Sequence, residues 1–216
     1  MKALFDDGVI YMNALEFYRT LEAHDERKDV NEGAERVQNR RGGVLKRKNP
    51  ETGAFEEIAQ LTHSRIRELN SNLQNLNVYC LYYLKSAMPI KSLGASIAQR
   101  TKLGFGEYAV IVADAGEFVT RVKQAAVDKG YRHFRSLVKY TDFSEEEFEV
   151  GPFVKDRAFS HQSELRIAVH TGEDNGSAIK LEIGSLKDIA VMVPSGSLDE
   201  ISLSDEANNA MHAKSA

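Results

Sequence analysis

Cys80 is the only cysteine in the chain. One thiol excludes an internal disulfide framework and a cysteine-rich zinc site, and it fits a reducing, cytoplasmic setting. His24, His63, His133, His161, His170 and His212 are scattered, with no H-x-x-x-H or H-E-x-x-H pair, so no metal site is expected. No apolar run approaches the roughly 18 residues of a membrane helix, and no membrane partner is expected. The opening MKALFDDGVIYMN breaks its apolar stretch with Asp6 and Asp7 and does not read as a signal peptide. Neither phosphate-binding glycine pattern is present, G-x-x-x-x-G-K-[ST] or G-x-G-x-x-G, and there is no G-x-S-x-G nucleophile elbow.

What is present is an ordinary globular composition. The 216 residues are 42% hydrophobic and 28% charged, with a formal net charge of −4. That is enough to bury a core, and nothing global points to a polyanion. One domain is expected over residues 1–204, with a disordered tail at 205–216. Charge is uneven locally. Six basic residues fall between Arg36 and Lys48, and five acidic ones between Asp142 and Glu149. A charge run is usually a solvated loop, but the basic one holds Arg40, Arg41, Lys46 and Arg47 where they can meet nucleic-acid phosphates.

Periodicity predicts an α+β fold of largely antiparallel sheets with a few packed helices. A short strand ends at Met12, and Asn13 with Glu16 reads as a capping box for a helix to Ala23. Residues 24–41 read as loop, 44–58 as a hairpin turning at Asn49–Gly53, and 61–69 as a short helix. Val78–Leu84 and Tyr108–Val112 lack charge and read as neighbouring central strands. Cys80 is expected to be buried and inert within the first. Asp114 opens a helix that Gly130 stops. Strands follow over 132–140, 165–170, 179–183 and 189–193.

The segment Phe159-Ser160-His161-Gln162-Ser163-Glu164-Leu165-Arg166 crowds polar side chains where a loop enters a strand. Its plain reading is a surface ion pair of Glu164 with Arg166, of little energetic weight. A second cluster, Arg27-x-Asp29-x-x-Glu32-Gly33, puts two carboxylates and an arginine in a glycine-ended loop that could hold a ribose or a metal; a hard metal wants more oxygen ligands than Asp29 and Glu32, and the plain reading is a structural or solvated loop.

Gln162-x-Glu164 resembles the glutamine-x-glutamate turn of ADP-ribosyltransferases. That resemblance implies NAD as cofactor, Glu164 on the nicotinamide ribose stabilising an oxocarbenium-like transition state, and Gln162 orienting the acceptor. His161 and Arg166 would flank the ligand, and Tyr11 or Tyr82 would stack on nicotinamide. The order of Val9–Tyr18, Asp29-Val-Asn-Glu32-Gly33 and Glu164-Leu-Arg166 is also similar to a large uncharacterised bacterial family found near mobile elements and phage-defence genes. This implies a toxin or defence component acting on a protein or nucleic-acid acceptor. The chain departs from the transferases in having no basic residue on a strand ahead of Val9 and no serine-threonine-serine triplet. Two other readings are a non-catalytic nucleotide sensor and a nucleic-acid-binding module built on the basic segment.

Overall fold

The computed structural model describes residues 1–21, 27–84, 106–144, 146–172 and 176–200. The tail expected at 205–216 and the end of the helix expected at Ala23 lie outside them. In chain order the elements begin with α1 (Lys2–Asp7), β1 (Val9–Ala14), α2 (Leu15–Thr20), β2 (Ala34–Arg41), β3 (Val44–Lys48), β4 (Phe55–Gln60) and β5 (His63–Leu69). Then come α3 (Ser71–Gln74), β6 (Asn77–Tyr82), β7 (Tyr108–Val112), α4 (Ala115–Asp128), β8 (Arg132–Leu137) and β9 (Lys139–Thr141). The last are β10 (Glu147–Glu149), β11 (Val154–Asp156), a 3-10 helix (Arg157–Gln162), β12 (Glu164–His170), β13 (Ile179–Glu182), β14 (Ala190–Pro194) and a second 3-10 helix (Ser195–Glu200). The fold is α+β, with sheets that are mostly antiparallel.

The chain forms two compact units, and the larger comprises Ile10–Tyr82 and Lys123–Leu181. Its main sheet has the strand order β13-β1-β6-β12-β8. The central strands carry the apolar load. Ile10, Met12 and Ala14 of β1 alternate inward, while β12 is buried along most of its length because it has a neighbour on each side. Leu15, Leu76, Val78 and Ala168 pack as one cluster, with Tyr18, Leu73 and Phe153 around them. A three-stranded sheet, β10-β2-β5, covers a second cluster of Ala34, Val37, Phe143, Phe148 and Val150. In it the rings of Phe143 and Phe148 stack 4.1 Å apart.

In the smaller unit β7 pairs with β14. Val78–Leu84 and Tyr108–Val112 are therefore not neighbours: β6 lies between β1 and β12, in a different sheet. An uncharged run marks a strand but does not name its partner. At α4, Asp114 Oδ1 accepts from the Glu117 amide at 2.9 Å, and Gly130 at φ 74° ends the helix, as the spacing predicts.

Three other expectations change. Asn13 lies inside β1, opposite Val78, and Ala14 is the cap of α2. Residues 34–41 form β2 rather than loop, and 63–69 form β5 rather than helix. β5 is polar and mostly solvent-facing, and β2 buries only Ala34 and Val37, which a bulge sets out of step, so neither shows a clean apolar alternation. They pair with each other along their length. Gly42 and Thr62, then Gly43 and Leu61, carry the pairing onward into β3–β4. The result is one long ribbon from Ala34 to Leu69, turning at Asn49–Gly53 where the hairpin was expected.

Candidate functional site

Ser163 sits in the left-handed region, at φ 40° and ψ 57°, and closes the 3-10 helix that precedes β12. This is an uncommon conformation for a residue with a Cβ. The reversal lets Gln162 and Glu164 reach the same atom: Lys155 Nζ donates to Gln162 Oε1 and to Glu164 Oε1, both at 2.8 Å. The other Glu164 oxygen accepts from Arg166 Nη2 at 3.0 Å. Arg166 in turn grips Glu32, with Nη1 at 2.6 Å from Oε1 and Nη2 at 3.2 Å from Oε2. Lys155 Nζ lies 3.6 Å from Glu32 Oε2, and the Pro152 carbonyl accepts from Arg166 Nη1.

Two carboxylates and two cations thus form a closed network in the interior. Arg166 is only 1% exposed, and Glu32, Lys155, Gln162 and Glu164 are all buried. The plain expectation of a Glu164–Arg166 pair holds, but its surface position is corrected: the pair is buried and joined by two more charges. Burial alone would raise the Glu164 carboxyl, yet Arg166 and Lys155 outweigh it and hold the group below its ordinary range. Lys155 follows the mirror logic, since burial would lower it and Glu32 with Glu164 leave it raised.

Asp29, also buried, accepts from the Asn31 amide at 2.8 Å. Burial, then the nearby Glu32 charge, pushes its carboxyl up to about 6. The two clusters seen separately in sequence are therefore one, because the Asp29–Glu32 loop delivers Glu32 to Arg166. Lys155 was missed. Its segment, Val154-Lys155-Asp156-Arg157, reads as an ordinary run of charges and gave no signal.

The remaining expected ligand residues are placed less uniformly. Tyr82 is the direct cross-strand partner of Glu164, and Cys80 that of Arg166. Asn13 pairs with Val78, so counting by twos puts Tyr11 on this same face of the sheet. Tyr11 is 54% exposed. His161 stays on the 3-10 turn with Nδ1 3.0 Å from the Ala158 carbonyl, and Arg27 is exposed. Cys80 is solvent-exposed, which corrects the expectation of a buried thiol. Desolvation by the surrounding chain still pushes its thiol up to about 12.

The basic candidates divide. Lys46 and Arg47 lie opposite Glu57 and Glu56 on the exposed β3–β4 hairpin, which balances their charge locally. Arg40 and Arg41 sit at the end of β2, beside residues the sequence reading did not single out. The register pairs Arg41 with His63, Asn39 with Arg65 and Val37 with Arg67. Arg41, Arg65 and Arg67 therefore share one face of the ribbon. Arg65 Nε donates to Asn39 Oδ1 at 2.7 Å, and Arg67 Nε to Asn31 Oδ1 at 3.0 Å. Among the described residues, no acidic side chain forms an ion pair with these three arginines. Partial burial and the neighbouring Arg65 and Arg19 charges lower the Arg67 guanidinium below its ordinary range. A groove of about 510 Å³ opens here, lined by Arg40, Arg41, His63 and Arg65 together with Asn39, Ser64, Ser144 and Glu146. The signal available in sequence was the period-two spacing of His63, Arg65 and Arg67.

Comparison with known proteins returns no match to a family model, to a curated protein or to a solved structure. No helix among the described residues is long and apolar enough to cross a membrane.

Proposed function

We propose that this chain is a nucleic-acid-binding protein that holds a sugar–phosphate backbone along the β2–β5 ribbon. The observation that carries this reading is the row of Arg41, Arg65 and Arg67 on one strand face, with no acidic partner among the described residues. Like charges crowded together are unfavourable until an anion meets them. A groove with arginines at strand spacing suits a polyphosphate chain better than a single small anion. The net charge of −4 makes the patch a local feature of this ribbon, not a consequence of overall basicity.

The test is fluorescence anisotropy with labelled oligonucleotides over a salt series. The unmodified protein should bind more weakly as salt rises, and the R41A/R65A variant should bind more weakly and with a shallower salt slope. Unmodified protein that binds neither single strands nor duplex at low salt would end this reading.

A second reading is an ADP-ribosyltransferase-like site that takes NAD and modifies a macromolecule. The register that sets Tyr82 opposite Glu164, with Tyr11 and the open Cys80 on the same face, favours it. Both Glu164 oxygens are already engaged, which favours nucleotide binding without turnover over catalysis. Calorimetric titration with NAD and with ADP-ribose tests binding. Labelling of a cell extract from radiolabelled NAD, with unmodified protein and with Glu164→Gln, tests transfer.

A further inference from the structure

The outer half of the ribbon has a composition that the phosphate-binding face does not explain. Residues 44–58 are exposed at every position except Asn49, which is half-buried. The segment is nonetheless ordered by its own bonds. Asn49 Oδ1 accepts from the amides of Glu51 and Thr52 at 2.8 and 3.2 Å, and Asn49 Nδ2 donates to Glu56 Oε1 at 2.7 Å. The amides of Asn49 and Gly53 donate to the Ala54 and Asn49 carbonyls at 2.8 and 2.9 Å, closing the turn. A two-stranded hairpin standing alone in water is marginal, and this one holds large apolar groups outward. Phe55 is 68% exposed, the most open of the large hydrophobic side chains described.

Phe55 pairs directly across the hairpin with Lys48, and Lys46 lies on the same face two residues away. Lys46 faces Glu57, so Lys48 is the ammonium left beside the ring, and an open aromatic ring next to a cation is matched to a ligand that alternates flat apolar surface with negative charge. Unpaired nucleotides are such a ligand. A base offers a π-face to stack on Phe55, and a flanking phosphate falls to Lys48. A duplex keeps its base faces inside the stack and offers only edges. The apolar tip thus separates two kinds of nucleic acid that the arginine row alone would treat alike.

We propose that Phe55 at the hairpin tip is a stacking platform for an unpaired base, so that the ribbon prefers single-stranded nucleic acid over duplex. This rests on the nucleic-acid reading above. It assigns the arginine face to the backbone and the tip, whose Phe55 the register sets on the other face, to the base, so that a bound strand crosses the edge of the ribbon between them.

The experiment uses the full chain with a single-stranded oligonucleotide carrying 2-aminopurine, the same sequence as duplex, and the F55A and F55W variants. The unmodified protein should bind the single strand more tightly than the duplex and quench 2-aminopurine. F55A should lose about tenfold in single-strand affinity, by the usual worth of one base–aromatic stack, and lose the quenching, with duplex affinity and salt slope unchanged. F55W should restore both. Because Phe55 packs against so little, the melting temperature of F55A should match that of the unmodified protein, which removes misfolding as an explanation. Salt-dependent binding that F55A leaves untouched, or equal affinity for both strand states, overturns the stacking platform and leaves the arginine face standing. Absence of any binding overturns both.

Discussion

Arg166 and Glu32, 134 positions apart in sequence, meet through two parallel hydrogen bonds of 2.6 and 3.2 Å inside the larger unit. This contact ties the loop after α2 to the central strand β12. It is extended by Lys155 and Glu164 into a network whose four charges cancel. Desolvating four ions is expensive, and only a complete set of partners offsets it. One buried atom, Arg166 Nε, has no acceptor among the described residues.

Removing one member should therefore cost far more than a surface pair. Glu164→Gln leaves the Lys155 and Arg166 charges short of a counter-ion, and we expect a loss of about 3 kcal/mol in urea unfolding, as for other broken buried pairs. The pH dependence has a defined sign. The folded-state pKa of Glu164 is depressed, so its contribution is present above the ordinary carboxyl range and is lost as pH falls through the lowered value. The difference between the variant and the unmodified protein should shrink on acidification. A loss below about 1 kcal/mol at pH 7, the range of exposed pairs, would contradict the buried network.

Much of this network was legible, but not its geometry. Gln162, Glu164, Arg166, Asp29 and Glu32 were all marked by residue type and spacing. Local sequence could not show that the Asp29–Glu32 loop and β12 converge, because that depends on strand order. Lys155 gave no signal. The hairpin expected at 44–58 was readable from Asn49, Pro50 and Gly53, since turns are coded locally. Strands β2 and β5 were not, because β5 is mostly exposed and β2 buries only Ala34 and Val37, which are three residues apart across a bulge and give no apolar alternation. Arg65 and Arg67 were hidden with them. The long uncharged runs at β6 and β7 gave their strands and misled about their pairing.

Asp29 should behave oppositely to Glu164. Burial and then Glu32 raise its folded-state pKa to about 6 from 3.8. A raised carboxyl costs nothing below the unfolded value, where both states are protonated, and its cost grows until pH passes the folded value. Asp29→Asn keeps an oxygen for the Asn31 amide and removes the charge. The variant should be more stable than the unmodified protein by up to about 3 kcal/mol above pH 6, taking 1.36 kcal/mol per unit. The gain should vanish near pH 4. Thermal melts of both forms at pH 4 and pH 8 measure it, and equal melting temperatures at pH 8 would count against a strained charge at Asp29.

Cys80 offers a check on the surroundings of the β6–β12 face. Its exposure alone would make it an ordinary accessible thiol, while its environment raises the thiol to about 12. The thiolate is the reacting form. At pH 8 a disulfide reagent should therefore modify Cys80 more slowly than an unperturbed thiol, because its smaller thiolate fraction outweighs the greater nucleophilicity of a more basic thiolate. Reaction at the rate of free glutathione would show that solvent reaches the sulfur without the desolvation that the surrounding chain imposes.

Among the described residues, Glu146 is the carboxylate lining the arginine groove, and it marks a place where charge can be changed without touching a cation. Its backbone carbonyl accepts from the Asn39 amide at 2.7 Å, a contact that does not depend on the side chain. The side chain is exposed, so Glu146→Gln should change stability by no more than about 0.5 kcal/mol. In the groove it removes a repulsion that any bound phosphate must meet. We therefore expect Glu146→Gln to tighten oligonucleotide binding severalfold at low salt, with the gain fading as screening shortens the reach of the charge. A small neutral ligand elsewhere on the protein would be indifferent to the change. Anisotropy titrations of unmodified protein and variant at two salt concentrations separate the outcomes. A variant that binds no better than the unmodified protein at low salt would place the bound strand away from this groove.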